Sequence, residues 1–106
     1  QAVQEKLPMV VFFHSPWCGY CKQFEPTFES LAKLYSGKYN FVMVDGENPE
    51  NFMLARDFMI GAYPSLYIVD PTIDNRIFLS HTIYGDTNLI KTELDRYLRI
   101  RAMIKQ

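Results

Sequence analysis

Cysteine is scarce: Cys18 and Cys21 are the only two in 106 residues. Two cysteines cannot build the disulfide framework that staples many small secreted folds, so their role is local. Charge of one sign is missing as well. Eleven Lys and Arg against twelve Asp and Glu leave a net charge of −1, which excludes both the basic field expected of a nucleic-acid binder and an acidic tail. No apolar run approaches the roughly 20 residues that a membrane-spanning helix needs. Repeats, linkers and low-complexity tracts are absent too. The chain starts at Gln1 rather than Met, so an initiator, with or without a leader, is expected to have been removed and any targeting signal is out of view. What the chain has is apolar bulk: 48% hydrophobic and 15% aromatic residues, enough to bury a core without staples. A single domain over residues 1–106, monomeric, is the expectation.

Both cysteines fall in Trp17-Cys18-Gly19-Tyr20-Cys21. A thiol pair at this spacing can close a small ring, and one sulfur can attack a foreign disulfide while the other resolves the mixed intermediate. The same spacing is also half of a zinc site. A closed zinc site takes four ligands, and only His14 and His81 remain as further histidines, so a metal carrier would require a dimer or Cu(I). No metal and no cofactor are expected.

Residues 9–13, Met-Val-Val-Phe-Phe, form a continuous apolar run of strand length, as for a strand covered on both faces. It delivers His14-Ser15-Pro16-Trp17 to the carboxyl edge of a sheet, where open α/β folds place their sites. From Cys18 the period changes: Cys21, Phe24, Phe28, Leu31 and Tyr35 mark one face of a helix that contains Pro26 and stops at Ser36-Gly37. Residues 41–44 read as a second buried strand, joined to the first by a parallel crossover. Asn48 caps a helix that starts at Pro49 and runs to about Met59, with Phe52, Ala55 and Met59 on its apolar side. Residues 65–69 form a third strand and residues 76–84 a fourth, paired as a hairpin, with His81 on the apolar side as a packing residue. Asp86 or Thr87 caps a last helix whose stripe is Ile90, Leu94, Tyr97 and Leu98. Residues 1–6 are a polar lead-in.

That order, with Trp-Cys-Gly-x-Cys-Lys directly after the first core strand, resembles the thioredoxin superfamily. Pro16-Trp17-Cys18-Gly19-Tyr20-Cys21-Lys22 looks most like its protein disulfide isomerase branch. Pro26 is a further match, and Tyr63-Pro64-Ser65 is similar to the family's cis-proline loop. The resemblance implies the thioredoxin fold, an α/β architecture with a four-stranded mixed sheet in the order 2-1-3-4, including one antiparallel hairpin, flanked by helices. It implies a thiol-disulfide oxidoreductase acting on protein substrates that carry disulfides or thiols, and recycled by a separate redox partner. It also implies that Pro64 is cis and presents the backbone of Tyr63 to an extended substrate. A thiolate at a helix start is stabilised by unpaired backbone N–H groups, whereas a thiol one turn later lacks that help. Cys18 is therefore expected to be the nucleophile and Cys21 the resolving thiol. Trp17, Tyr20 and Tyr63, with Tyr84-Gly85, are expected near the sulfurs as an apolar rim suited to a flexible polypeptide, the alternative being that these aromatics are partly core. An extracytoplasmic setting, periplasm or secretory pathway, is favoured over the cytoplasm.

The chain departs from this family at two places. Close relatives commonly carry a buried Asp or Glu six residues before the first cysteine, and here that residue is Phe12. Isomerases often carry an Arg beside the last glycine of the active face, and Asp86 follows Gly85. Cys21 is thus expected to be activated inefficiently. His14, on the strand face of Phe12 and four residues before Cys18, reads first as a packed or solvated histidine without a redox role, and as a candidate modulator of the thiol pair in the alternative. The competing reading is a polypeptide-binding or chaperone module with this fold and idle cysteines.

Overall fold

The computed structural model describes residues 6–104. Met9–His14 (β1) is central in a four-stranded sheet: it pairs in parallel with Asn40–Asp45 (β2) and antiparallel with Ser65–Asp70 (β3). Asn75–Leu79 (β4) completes the sheet as the hairpin partner of β3, giving the order β2-β1-β3-β4. The helices are Gly19–Leu34 (α1), Phe52–Asp57 (α2) and Thr87–Ile104 (α3). The lead-in expected over residues 1–6 lies outside the described residues except for Lys6.

The continuous apolar run of β1 explains its position. Its side chains alternate across the sheet, so Val10 and Phe12 enter one core while Val11 and Phe13 enter another. The larger core contains Phe24, Phe28 and Leu31 of α1 and Ile90, Leu94 and Tyr97 of α3. Phe12 lies at its centre, with ring centroids 5.3 Å from Phe24 and 5.1 Å from Phe28. On the other face Phe13 packs on Phe58 and Tyr67, 5.1 and 6.1 Å away. The stretch from the end of α1 to the start of β2 is tied to α3 by two phenols: Tyr35 donates to Asp95 at 2.7 Å and Tyr39 to the Leu94 carbonyl at 2.8 Å. Burial pushes both phenols well above the usual tyrosine range, and the Asp95 carboxylate adds to the rise at Tyr35. The α3 cap is Asp86, whose Oδ1 accepts the amides of Asn88 and Leu89.

Four expectations need correction. The strand read as buried at residues 41–44 leaves Val42 and Met43 exposed, at the edge place that the expected order 2-1-3-4 already gave it. An apolar run does not distinguish an edge strand from a central one, because periodicity reports faces and not neighbours. The helix expected to run to Met59 is a single 3₁₀ turn, Pro49–Asn51, followed by the short α2. Asn48 does cap that turn, accepting the Glu50 amide at 3.0 Å, but Phe52 and Met59 point to solvent and Phe58 makes the buried contact. The strand expected to reach Tyr84 stops at Leu79, and His81–Ile83 form a 3₁₀ turn. His81 is accordingly exposed and off the sheet, its ring packed beside Phe78 and Tyr84.

Candidate active site

After β1 the chain turns tightly. The Cys18 amide donates to the Ser15 carbonyl at 3.1 Å, and the Trp17 amide donates to the hydroxyl of buried Ser15 at 3.2 Å. Cys18 is the N-cap of α1 in extended conformation, and its Sγ accepts the Cys21 amide at 3.0 Å. The sulfur therefore occupies the place of an oxygen in an ordinary N-cap, where orphan amides and the positive end of the helix dipole favour negative charge. No acidic residue in the first turn offsets that field. Cys21, one turn in, is 1% exposed and belongs to the large core, whereas Cys18 is half-buried. The two sulfurs are joined in a disulfide, with Cα atoms 5.2 Å apart, inside the ordinary span for such a bond. The pair thus combines a reachable sulfur able to carry negative charge with a buried one bonded to it.

Around this centre the side chains differ. Trp17 and Tyr20 are 86% and 75% exposed, so their rings belong to the surface and not to the core. The Tyr63–Pro64 peptide bond is cis, and Pro64 is buried. Tyr20, Tyr63 and Pro64 come together along a groove of about 520 Å³, with Phe24, Tyr84 and Gly85. Trp17 is not part of its wall. Gln23 and Thr27 also line it, although sequence reasoning passed over them; the signal was their spacing, since Tyr20, Gln23 and Thr27 share one side of α1 at helical intervals. Phe12 is fully buried, and His14 is half-buried with its ring 5.6 Å from that of Phe12. No group of three His, Cys, Asp or Glu is gathered as a metal site among the described residues.

Two tyrosines of the rim have work of their own. The Tyr84 hydroxyl donates to the Leu79 carbonyl at 2.6 Å and accepts the Leu66 amide at 2.8 Å, bridging β3 and β4 where their ladder ends. Burial pushes this phenol up to about 12, partly offset by the Leu66 amide. The Tyr63 phenol reaches across to the loop after β2, and burial, followed by the charges of Glu47 and Asp45, raises its pKa. There it lies against buried Gly46, where a Cβ would collide with the phenol oxygen and two ring carbons. Gly46→Ala is expected to lower stability by about 1–3 kcal/mol through overpacking beside the cis-proline loop. Urea titration checks this, and in a Tyr63→Ala background most of the cost should vanish; an equal cost in both backgrounds would refute the contact as its cause.

A family model described as Thioredoxin matches residues 1–80. The chain belongs to the thioredoxin family. It is 34% identical over 62 residues to protein disulfide-isomerase A4 of Bos taurus, covering 58% of this chain and 10% of that protein. With protein disulfide-isomerase A5 of Mus musculus it shares 40% identity over 68 residues, 62% of this chain and 13% of the other. A mitochondrial thioredoxin domain-containing protein of Schizosaccharomyces pombe is 30% identical over 84 residues, 79% of this chain and 23% of that one. This thioredoxin-family chain therefore spans about a tenth to a quarter of the length of these curated relatives. Among solved structures, the Trx4 domain of ERdj5 superposes with a TM-score of 0.71 at 30% identity, covering 88% of this chain and 81% of that one. The thioredoxin Deadhead of Drosophila melanogaster, at 23% identity, TM-score 0.70 and coverages of 85% and 80%, shares the fold.

Proposed function

We propose that this domain is a thiol-disulfide oxidoreductase acting on protein substrates, with Cys18 as nucleophile and Cys21 as resolving thiol. The observation that carries the reading is the asymmetry of the pair: Cys18 is partly accessible at the α1 N-cap and Cys21 is buried beneath it. In the reducing direction, the Cys18 thiolate attacks one sulfur of a substrate disulfide. That S–S bond breaks, its other sulfur leaves as a thiolate, and a mixed disulfide to Cys18 remains. Cys21 then attacks Cys18, the substrate's second sulfur departs, and the substrate has gained two electrons that the cysteine pair has lost. Run backwards, the same steps oxidise a substrate dithiol.

The exposed rings of Trp17 and Tyr20 and the neighbouring groove supply apolar contacts for a flexible segment of polypeptide. Tyr63, with its ring turned toward Gly46, is left to offer its backbone beside Pro64. The protein works as a monomer with a separate redox partner, and its likeness to disulfide isomerases favours an extracytoplasmic setting. The test is the reduction of insulin by dithiothreitol. The protein should accelerate precipitation of the insulin chains, and Cys18→Ser should abolish the acceleration. Suppressed aggregation that ignores both cysteines would instead favour a polypeptide-binding module. Equilibration with glutathione buffers then fixes the direction of exchange.

A further inference from the structure

Cys21 must lose a proton before it can attack, yet it lies 1% exposed within an apolar cluster. The side chain at the centre of that cluster is Phe12, which can accept nothing. The buried polar residues elsewhere do not solve the problem. Asp70 and Arg101 are bonded to each other, and Asp70 ends β3 beyond the Met9↔Val69 pair, at the opposite end of β1 from the cysteines. The Ser15 and Ser65 hydroxyls are not bases at neutral pH, and that of Ser65 already donates to the Ala62 carbonyl.

One carboxylate is placed to serve. Glu25 lies in α1 four residues after Cys21, between buried Phe24 and Phe28, and is itself half-buried. Residues four apart on a helix are neighbours, with Cβ atoms about 5–6 Å from each other. Helical side chains lean toward the N-terminus, so a long side chain at 25 covers the turn that holds residue 21. Among the described residues, no hydrogen bond or ion pair engages Glu25. Half-buried, the residue keeps access to solvent, as a group exporting a proton has to do.

We propose that Glu25 is the proton acceptor for Cys21. The inference rests on the oxidoreductase reading above. When Cys21 attacks the mixed disulfide, its S–H proton passes to the Glu25 carboxylate as the Cys21–Cys18 bond forms. The Cys18–substrate bond breaks, the substrate sulfur leaves as a thiolate, and Glu25 returns the proton to it or to water. The carboxylate acts on this second step alone, because Cys18 draws its stabilisation from the helix start.

The test separates the two steps by rapid acid quench and mass spectrometry of the reduced protein mixed with a cystine-bridged peptide. Glu25→Gln, nearly isosteric, should form the mixed disulfide at a rate within about threefold of the unaltered chain and resolve it about 100-fold more slowly, the lower range of general-base effects. Glu25→Asp should recover part of the loss, and Glu29→Gln, one turn further along an exposed face, should change neither step. Resolution that is unslowed in Glu25→Gln, or equal slowing of both steps, overturns the assignment. Failure of the reduced, unaltered chain to cleave the peptide's disulfide at all overturns the oxidoreductase reading and this one with it.

Discussion

Cys21→Ser should turn the proposed catalyst into a trap: the mixed disulfide between Cys18 and substrate should form and persist, while multiple turnover should fall roughly a hundredfold or more for want of the proposed resolving thiol. The first half of this outcome follows from the cap. The group that donates to the Cys18 sulfur is the backbone amide of residue 21, which a serine retains, so the stabilisation of a Cys18 thiolate survives the substitution. The second half follows from burial. The Cys21 sulfur sits in the core directly against its partner, and a serine hydroxyl in its place cannot displace a thiolate from a disulfide. Non-reducing electrophoresis with a disulfide-bearing protein should show an adduct that dithiothreitol dissolves, absent in Cys18→Ser. Sustained turnover by Cys21→Ser, or an adduct that still forms without Cys18, would assign the sulfurs the other way.

The parts of this site that were legible in the sequence are those written in local patterns. A run of five apolar residues followed by a change to helical period places the cysteines at a strand-to-helix junction, and β1 and α1 lie there. The cap at Asn48 was equally local. What escaped was set by partners far along the chain. Residues 41–44 look like a strand buried on both faces, but Val42 and Met43 are exposed. β4 ends at Leu79 because the Tyr84 hydroxyl takes over the Leu66 amide and the Leu79 carbonyl, an arrangement no periodicity announces. The apolar pattern of residues 49–59 selected Phe52 and Met59, whereas Phe58 is the one buried, between the sheet and the Arg76 guanidinium 4.0 Å from its ring. Gly46 reads as an ordinary turn glycine until the Tyr63 phenol is found against it. Phe12 was legible as a departure, but the half-buried place of Glu25 was not, since helix position alone gives that residue a solvent-leaning place.

Asp70 and Arg101 carry the largest expected effect on stability. The sequence offers Asp70 as a turn residue before Pro71, and Arg101 as one of several cations near a helix end. The structure instead buries Asp70 completely and puts the Arg101 Nε 2.7 Å from its Oδ2. The same oxygen accepts the Tyr97 hydroxyl at 2.8 Å, and Oδ1 accepts the Thr72 amide at 3.2 Å. Arg101 also donates to the Lys6 carbonyl at 2.8 Å, so one ion pair joins the end of β3, the last turns of α3 and the segment entering β1. Asp70→Asn keeps the volume and removes the charge, so that the Arg101 guanidinium loses the Asp70 carboxylate it meets in the core. The expected loss is about 3–5 kcal/mol, a large part of the stability of an ordinary domain. Arg101→Met should cost a similar amount, for the mirrored reason. The double variant Asp70→Leu/Arg101→Met should recover much of the loss, because replacing a whole buried pair with apolar groups is often close to neutral. Urea unfolding measures all three. The pair lies at the end of the sheet away from the cysteines, so disulfide exchange by the folded fraction should stay unchanged. A single variant costing less than about 1 kcal/mol, the worth of an exposed pair, would mean that water reaches this ion pair and that something else fastens α3 to the sheet.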